Sequence, residues 1–528
     1  MITSYFIKEI NLFSFGILMI LGPFCNAQTR ASDQELAKDE QYHRPVYHFS
    51  PKKNWMNDPN GMFYYDGVYH LYFQHNPFDN VWGPMHWGHA TSKDLLVWEE
   101  HEIAIYPDSL GTIFSGSAIV DHHNTSGFGD AQKPIVAIYT NHSHEGQDAG
   151  RNDYQTQSIA YSTDQGYQFT KYQHNPVIPN PGIIDFRDPK VTWYEYENKW
   201  IMSLAVGQLI YFYESKDLKK WTYLSSFGQD IGNHDGVWEC PDLIQLPILG
   251  TEQSKWVLFV SINPGGPSGG SATQYFVGDF DGQNFTVNDR FAASMNEYHD
   301  FWVDYGKDNY AGVTYSNTET DDGKKIFHGW MSNWQYANVV PTTTWRSAMT
   351  LPRELSLGIV DGVYRLVSEP ISTLSNYSKH YMEIKSDDPV IEIKKNNPPF
   401  FTTCEINFKV SAKSGFVATL SSEIGDTLAF GYDVENSSFY IDRSGTGIVD
   451  FSDDFGDKKT VCKRISASNM LNGRILLDKA SIEVFLDDGL NVMTEIFFIE
   501  KPFTTLNFES KDKSPIEKQI QINDLHFN

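Results

Sequence analysis

A seven-residue pattern recurs along this chain. Ser92-Lys93-Asp94-Leu95-Leu96-Val97-Trp98 returns as Ser215-Lys216-Asp217-Leu218-Lys219-Lys220-Trp221, and looser copies run from Ser162-Thr163-Asp164 to Phe169 and from Asp281-Gly282 to Phe285. Each follows an extended run, such as Gln208 to Tyr213 or Gln274 to Val277. An aspartate closes a tight turn by accepting from nearby backbone amides, and an aromatic on the returning strand packs back over it. The aspartates at 94, 164, 217 and 281 lie 70, 53 and 64 residues apart. Those periods fit four-stranded blades with elaborated loops. A β-propeller with four visible blades and a fifth, degenerate one after residue 300 is therefore expected.

The remainder of the sequence agrees with an all-β class. From about residue 43, short aromatic and β-branched runs alternate with Gly, Asn, Asp and Pro clusters, and few stretches hold a 3.6-residue period. Beyond residue 360 the character shifts. Phe401 to Val410, Thr427 to Tyr432, Phe439 to Arg443 and Ser481 to Leu486 alternate between in-facing and out-facing residues. The expected organisation is a propeller over 43–360, a linker over 361–374 and a C-terminal β-sandwich over 375–528. Within that linker, Pro370 disfavours a continuing helix. Residues 28–42 are polar and expected to be a disordered lead-in.

At the N-terminus, Lys8 precedes an apolar run from Leu12 to Leu21, followed by Cys25-Asn26-Ala27. The run is too short to span a bilayer, and the small-residue site after it predicts a signal peptide over 1–27 and a secreted or periplasmic protein. Cys25 as a lipid-anchored cysteine is the competing reading, but Pro23-Phe24 lacks the usual small residues. No second long apolar run follows, so no membrane span is expected.

With 41 Lys+Arg against 67 Asp+Glu, the formal charge is −26, and the positive residues do not cluster. Nucleic acid and acidic membrane surfaces are thereby disfavoured as partners. Aromatic residues make up 15% of the chain, which suits sheet cores and also neutral, hydroxyl-rich ligands. No cysteine pair has metal-ligand spacing, and Cys404 and Cys462 could pair in an oxidising compartment. His86 and His89 point to opposite faces if they lie in a strand. His122-His123 and His142-Ser143-His144 fall among Asn, Ser and Gly and are expected to be solvated loop histidines. Pro264 to Gly270 is glycine-rich but lacks the lysine and helix of a phosphate loop.

Three carboxylates stand in aromatic and Pro-rich blocks: Asp58 in Trp55-Met56-Asn57-Asp58-Pro59-Asn60-Gly61, Asp188 in Asp185-Phe186-Arg187-Asp188-Pro189, and Glu239 in Trp238-Glu239-Cys240-Pro241-Asp242. They precede the turn aspartates 94, 217 and 281 by 36, 29 and 42 residues, so each sits at the start of a blade. First strands line a propeller's central channel, and the three acids are expected to converge there. Crowded carboxylates cannot all ionise freely, so at least one should be raised and hold a proton near neutral pH. A proton donor beside an ionised partner is the equipment for cleaving a glycosidic bond. Arg187 is expected to keep its neighbour Asp188 ionised.

These blocks, together with Phe114-Ser115-Gly116-Ser117, resemble the signature segments of glycoside hydrolase family 32, the β-fructosidases. Trp334-Gln335-Tyr336 and Trp345-Arg346-Ser347-Ala348-Met349 are similar to its exo-acting levanase and inulinase branch. Tyr440-Ile441-Asp442-Arg443 and Ser481-Ile482-Glu483-Val484-Phe485 extend the resemblance into the second domain. The resemblance implies a five-bladed propeller followed by a sandwich, and a retaining hydrolase of levan, inulin or sucrose that needs no metal or cofactor. It implies Asp58 as nucleophile, Glu239 as acid/base and Asp188, with Arg187, as transition-state stabiliser. Asn57, Gln74, Trp82, Phe114 and Ser115 would hold the fructosyl ring, with Trp334 closing its apolar side, so that Trp55, Trp82, Phe114 and Trp334 form the aromatic set expected to face the sugar in the channel. Cys240 is expected to tune Glu239. A fructosyltransferase and a non-catalytic fructan-binding protein are the alternatives.

Overall fold

The computed structural model describes residues 42–527 except 131, 132, 299, 319, 321 and 399. The expected signal peptide, Cys25 and residues 28–41 of the lead-in lie outside the described residues. The described chain is nearly all β, with short helices at His144–Asp148 and Asp289–Tyr298. Among the described residues, no helix is long and apolar enough to cross a membrane.

The recurring turn is held by the bonds its residues suggest. Ser92 Oγ donates to Asp94 Oδ1 at 3.0 Å, and the same oxygen accepts from the amides of Leu96 and Val97. Trp98 Nε1 folds back to donate to Leu95 O at 3.1 Å. Ser215 to Trp221 repeats each of these bonds. In the looser copies, Asp164 accepts from Gln168 N, and Asp281 accepts from the amides of Gln283 and Asn284. In every copy the turn joins the third strand of a sheet to the fourth.

Five such sheets follow one another between residues 54 and 370. Their first strands are Asn54–Tyr65, Thr112–Val120, Phe186–Tyr194, Val237–Pro247 and Tyr310–Thr314, and in each the next strands are added in chain order. The first strands touch in cyclic order, the fifth returning to the first. The first sheet gains an extra parallel strand, Trp345–Arg346, beside Asn54–Tyr65. The fifth sheet has no Ser-x-Asp turn. Instead Asp361 and Gly362, at φ 50° and 75°, close a tight hairpin between Arg353–Val360 and Val363–Pro370. The expected linker over 361–374 is thus largely strand, because its Asp-Gly pair is a hairpin turn, and only Ile371 and the 3-10 turn Ser372–Tyr377 remain as connection.

Residues 378–525 form two six-stranded antiparallel sheets. Phe416–Ser422 alternates strictly between buried and half-buried positions, as a strand with one covered face should. Phe408 of one sheet meets Phe416, Phe430 and Phe508 of the other at 5.7–6.4 Å between ring centroids, so the two sheets pack face to face. Cys404 and Cys462 are both buried free thiols.

A buried charged network ties these sheets to the first five. His48 Nδ1 and Nε2 lie 2.9 and 2.8 Å from Asp478 Oδ2 and Glu483 Oε1. Arg353 bonds Glu483, Asp304 and the Thr494 hydroxyl, and Arg443 bonds Asp308 and Glu495. Glu483 and Arg443 each belong to one of the two motifs that extend the resemblance into the second half of the sequence.

Candidate active site

Every first strand is bulged near the edge where it begins. Register slips occur between Met56 and Pro59, Ile113 and Gly116, Glu239 and Asp242, Tyr310 and Val313, and across Asp188-Pro189. A bulge puts two residues opposite one and re-aims a side chain that regular pleating would send elsewhere. Asp188, Cys240 and Ala311 take positive φ (63°, 46° and 52°), a strained choice for residues with a Cβ. Asp188 is held there by Thr140 Oγ1, which accepts from its amide at 3.0 Å and itself donates to Gln157 Oε1.

Asp58, Asp188 and Glu239, each at one of these bulges, share one pocket of about 350 Å³. All ten sequence-predicted site residues line it: Asp58, Asp188, Glu239, Asn57, Gln74, Trp82, Phe114, Ser115, Arg187 and Trp334. Ser115 Oγ donates to Asp58 Oδ2 at 2.7 Å, and Asn57 Nδ2 donates to Asp58 Oδ1 at 2.9 Å. Asn57 is in turn fixed by Trp55 Nε1 at 2.7 Å. Gln74 is oriented by Asn60, whose Oδ1 accepts from its Nε2 at 2.6 Å. Arg187 donates from Nε and Nη2 to Glu239 Oε1 at 3.2 and 3.0 Å, while Tyr310 donates its hydroxyl to Glu239 Oε2.

The electrostatics follow from burial. Loss of water raises Asp58 above the usual carboxylate range; the Ser115 bond opposes this and the charge of Glu239 adds to it. Burial likewise raises Asp188, against the pull of Arg187 and with a push from Glu239 and Asp58. The upward shift expected of crowded carboxylates therefore falls on Asp58 and Asp188.

Three expectations need correction. Arg187 gives its hydrogen bonds to Asp185 and Glu239 and meets Asp188 only as an ion pair at 3.9 Å, whose pull does not outweigh burial. Its planar fork spans the acids on either side rather than its sequence neighbour. The Cys240 thiol does not face Glu239: at positive φ it turns inward between Asp58 Oδ2 (3.6 Å) and Asp188 Oδ2 (3.7 Å). Trp55 is fully buried and does not face the pocket. It stacks behind Trp334, ring centroids 5.8 Å apart, and supports Asn57.

A fourth correction concerns His142, expected in a solvated loop. It ends the second strand of its sheet, Ile135–His142, and forms pocket wall, stacked on Phe114 at 4.3 Å and 9°. Burial lowers it to about 4, so the ring is neutral at physiological pH. Sequence reasoning also missed Tyr310 and the pocket residues Gln147, Tyr154, Gln155, Asp185, Asn263 and Asn338. Strand phase held a signal for two of these misses. The second strands end at Asn76, His142, Val206 and Asn263 on the pocket edge, so polar residues closing a second strand are placed to reach it.

Tyr310 gives a test of this geometry. Removing its hydroxyl leaves Glu239 Oε2 without its buried donor while Arg187 still holds Oε1. Tyr310→Phe is expected to lower kcat about tenfold, the order of one hydrogen bond to a charged group, with KM little changed. Steady-state kinetics on a variant with wild-type circular dichroism would check this; an unchanged kcat would show that the bond plays no part.

The comparisons with known proteins run along the same residues. Residues 48–370 match the glycosyl hydrolases family 32 N-terminal domain, and residues 376–525 match the family's C-terminal domain. The chain is 46% identical over 494 residues to a levanase of Bacillus subtilis, covering 92% of this chain and 71% of that protein. It is 40% identical over 482 residues to an extracellular exo-inulinase of Meyerozyma guilliermondii, covering 86% and 90%. A solved fructofuranosidase of Schwanniomyces occidentalis, complexed with fructose, superposes with TM-score 0.82 at 37% identity, over 93% of this chain and 99% of that one. With both domain models matched in sequence order and relatives 40–46% identical over most of this chain, the chain belongs to glycosyl hydrolase family 32.

Proposed function

We propose that the protein is a secreted, exo-acting β-fructosidase that removes the terminal fructosyl unit of levan, inulin or sucrose with retention of configuration. The observation that carries this reading is the convergence of Asp58, Asp188 and Glu239, from three different strands, on one pocket of about 350 Å³. Levanase and exo-inulinase activity among the relatives supports the substrate class.

In this reading the Asp58 carboxylate attacks the anomeric carbon of the fructosyl unit. Ser115, Asn57 and Cys240 donate to it and favour its charged form against burial. The bond from that carbon to the leaving oxygen breaks, and Glu239 supplies the proton the leaving oxygen takes up. Water then gives a proton to Glu239 while its oxygen attacks the same carbon and releases Asp58. Two inversions leave the configuration retained. Asp188, held by the Cys240 amide at 3.2 Å, accepts from sugar hydroxyls as positive charge develops on the ring.

The same reading takes the five sheets as blades of a propeller, with the sandwich beginning near residue 378. The closed ring of first strands and the face-to-face phenylalanines support it. The N-terminal apolar segment and the extracellular relative support secretion.

Product analysis on levan, inulin and sucrose tests the activity. Free fructose is expected as the sole early product from the polymers. A ladder of oligomers would refute exo cleavage, and longer oligosaccharides at high sucrose would indicate transfer instead of hydrolysis.

A further inference from the structure

Three large aromatic side chains stand exposed along one stretch of the pocket's rim. Phe78 is 75% exposed, Tyr106 53% and Trp82 39%. A single exposed aromatic is ordinary on a protein surface, but three gathered at the mouth of one pocket are not. Their placement follows from strand register. Asn76 pairs with Trp55 and His86 with His75, so the loop between Asn76 and His86 lies at the edge where Asn57 and Asp58 begin their strand. The bridge between Trp87 and Ile105 brings Tyr106 to the same edge. Other exposed tyrosines, Tyr167 and Tyr196, sit on turns at the opposite edge of their sheets.

Phe78 and Tyr106 each meet His86 edge-to-face at 5.7 Å, and Trp82 meets Phe114 of the pocket wall at 6.2 Å. Asn76 pins the loop: the Phe78 amide donates to its Oδ1 at 3.1 Å, and its Nδ2 donates to Val81 O at 2.9 Å. Trp82 N donates to Asn338 Oδ1 at 2.9 Å. On the other side Lys171 donates to Tyr106 O while pairing with Asp108 at 2.6 Å. Ordered backbone beneath exposed rings reduces the entropy lost when a ligand settles on them.

We propose that Phe78 and Tyr106 form, beyond Trp82 of the pocket wall, a shelf on which the third and later units of a fructan chain rest while the terminal unit occupies the pocket. This rests on the β-fructosidase reading of that pocket and deepens it by naming the long polymer as the favoured substrate. A sugar ring offers a C–H face to an aromatic ring and keeps its hydroxyl edge in water, and the shelf supplies faces of that kind without charge. Sucrose, with a single unit beyond the fructosyl ring, ends before the shelf and gains little from it.

The test compares Phe78→Ala, Tyr106→Ala and the double variant with wild type on levan, inulin and sucrose. Each single change is expected to lower kcat/KM on the polymers about two- to tenfold, the size of one aromatic contact, and the double change by roughly the product. The effect should appear mainly in KM, with sucrose kinetics and melting temperature unchanged. Phe78→Tyr and Tyr106→Phe, which keep the ring, should restore polymer activity. Migration in levan-containing native gels gives a readout independent of turnover: wild type should be retarded and the double variant released. Equal losses on sucrose and polymer, or no loss on either, would overturn the shelf. A wild-type enzyme that releases no fructose from any substrate, yet is retarded by levan through Phe78 and Tyr106, would overturn the β-fructosidase reading and leave the shelf standing.

Discussion

An Asp58→Asn variant is expected to lose turnover on fructans by on the order of 10⁴-fold or more, because in the proposed mechanism the Asp58 carboxylate forms the covalent intermediate. The substitution is nearly isosteric. With the amide oxygen kept beside Asn57 Nδ2 and the amide nitrogen turned to the Ser115 hydroxyl, which can accept, the side chain finds partners and the fold should survive. Glu239→Gln removes the transferable proton but keeps the shape between Arg187 and Tyr310, and is expected to cost about 10²–10⁴-fold. Single-turnover measurements separate the two. Asp58→Asn should show no burst on any substrate, whereas Glu239→Gln should lose least on substrates whose leaving group needs no proton. Near-wild-type hydrolysis by folded Asp58→Asn would end the double-displacement mechanism.

The second large effect concerns stability. Arg353 is fully buried between Glu483 and Asp304, and replacing it with Met leaves two buried carboxylates short of their cation. A loss of about 3–5 kcal/mol is expected, read as a lower urea midpoint with an unchanged slope. His48 adds a pH signature to the same network. Burial lowers its pKa, but the bonds to Asp478 and Glu483 outweigh burial and hold it up at about 9, from an ordinary 6.5. A pKa raised on folding gives stability that is fully present below about pH 6.5 and is lost as pH rises through 9, on the order of 3 kcal/mol. His48→Gln should flatten that alkaline slope. On the acid side the sign reverses. Burial lowers His70 and His328 to about 3, and His75 and His142 to about 4, so stability falls as pH drops below 6.5. Melting temperature against pH should therefore peak between the two limbs for wild type. A flat alkaline limb in wild type would overturn the role given to His48.

The repeat and the site were legible in the sequence to different depths. The turn at Ser92 to Trp98 is built from bonds between residues two and three apart, so its letters carry its geometry wherever it occurs. Counting back from those turns put Asp58, Asp188 and Glu239 at one phase, and the family blocks added the seven binding residues. His142 was misread because a His-Ser-His run among polar residues looks like a loop. Its strand is defined by pairing with Thr112–Val120 and Gln155–Ser162, partners supplied by other parts of the chain. The linker was misread for the same reason: Asp361-Gly362 punctuates either a loop or a hairpin, and only strand pairing distinguishes them.

What the sequence determined by itself was the all-β class, the blade period and the identity of the acids, since each rests on local hydrogen bonding, alternation or residue type. The tertiary structure decided how those acids are used. The bulges that aim them depend on neighbouring strands. Arg187 bridges Asp185, just ahead of the third sheet, and Glu239 of the fourth, and the Cys240 thiol settles between Asp58 and Asp188. Tyr310, 71 positions away in sequence, closes on Glu239. Contacts of that kind cost chain entropy that only the collapsed core recovers, so no short stretch of sequence records them.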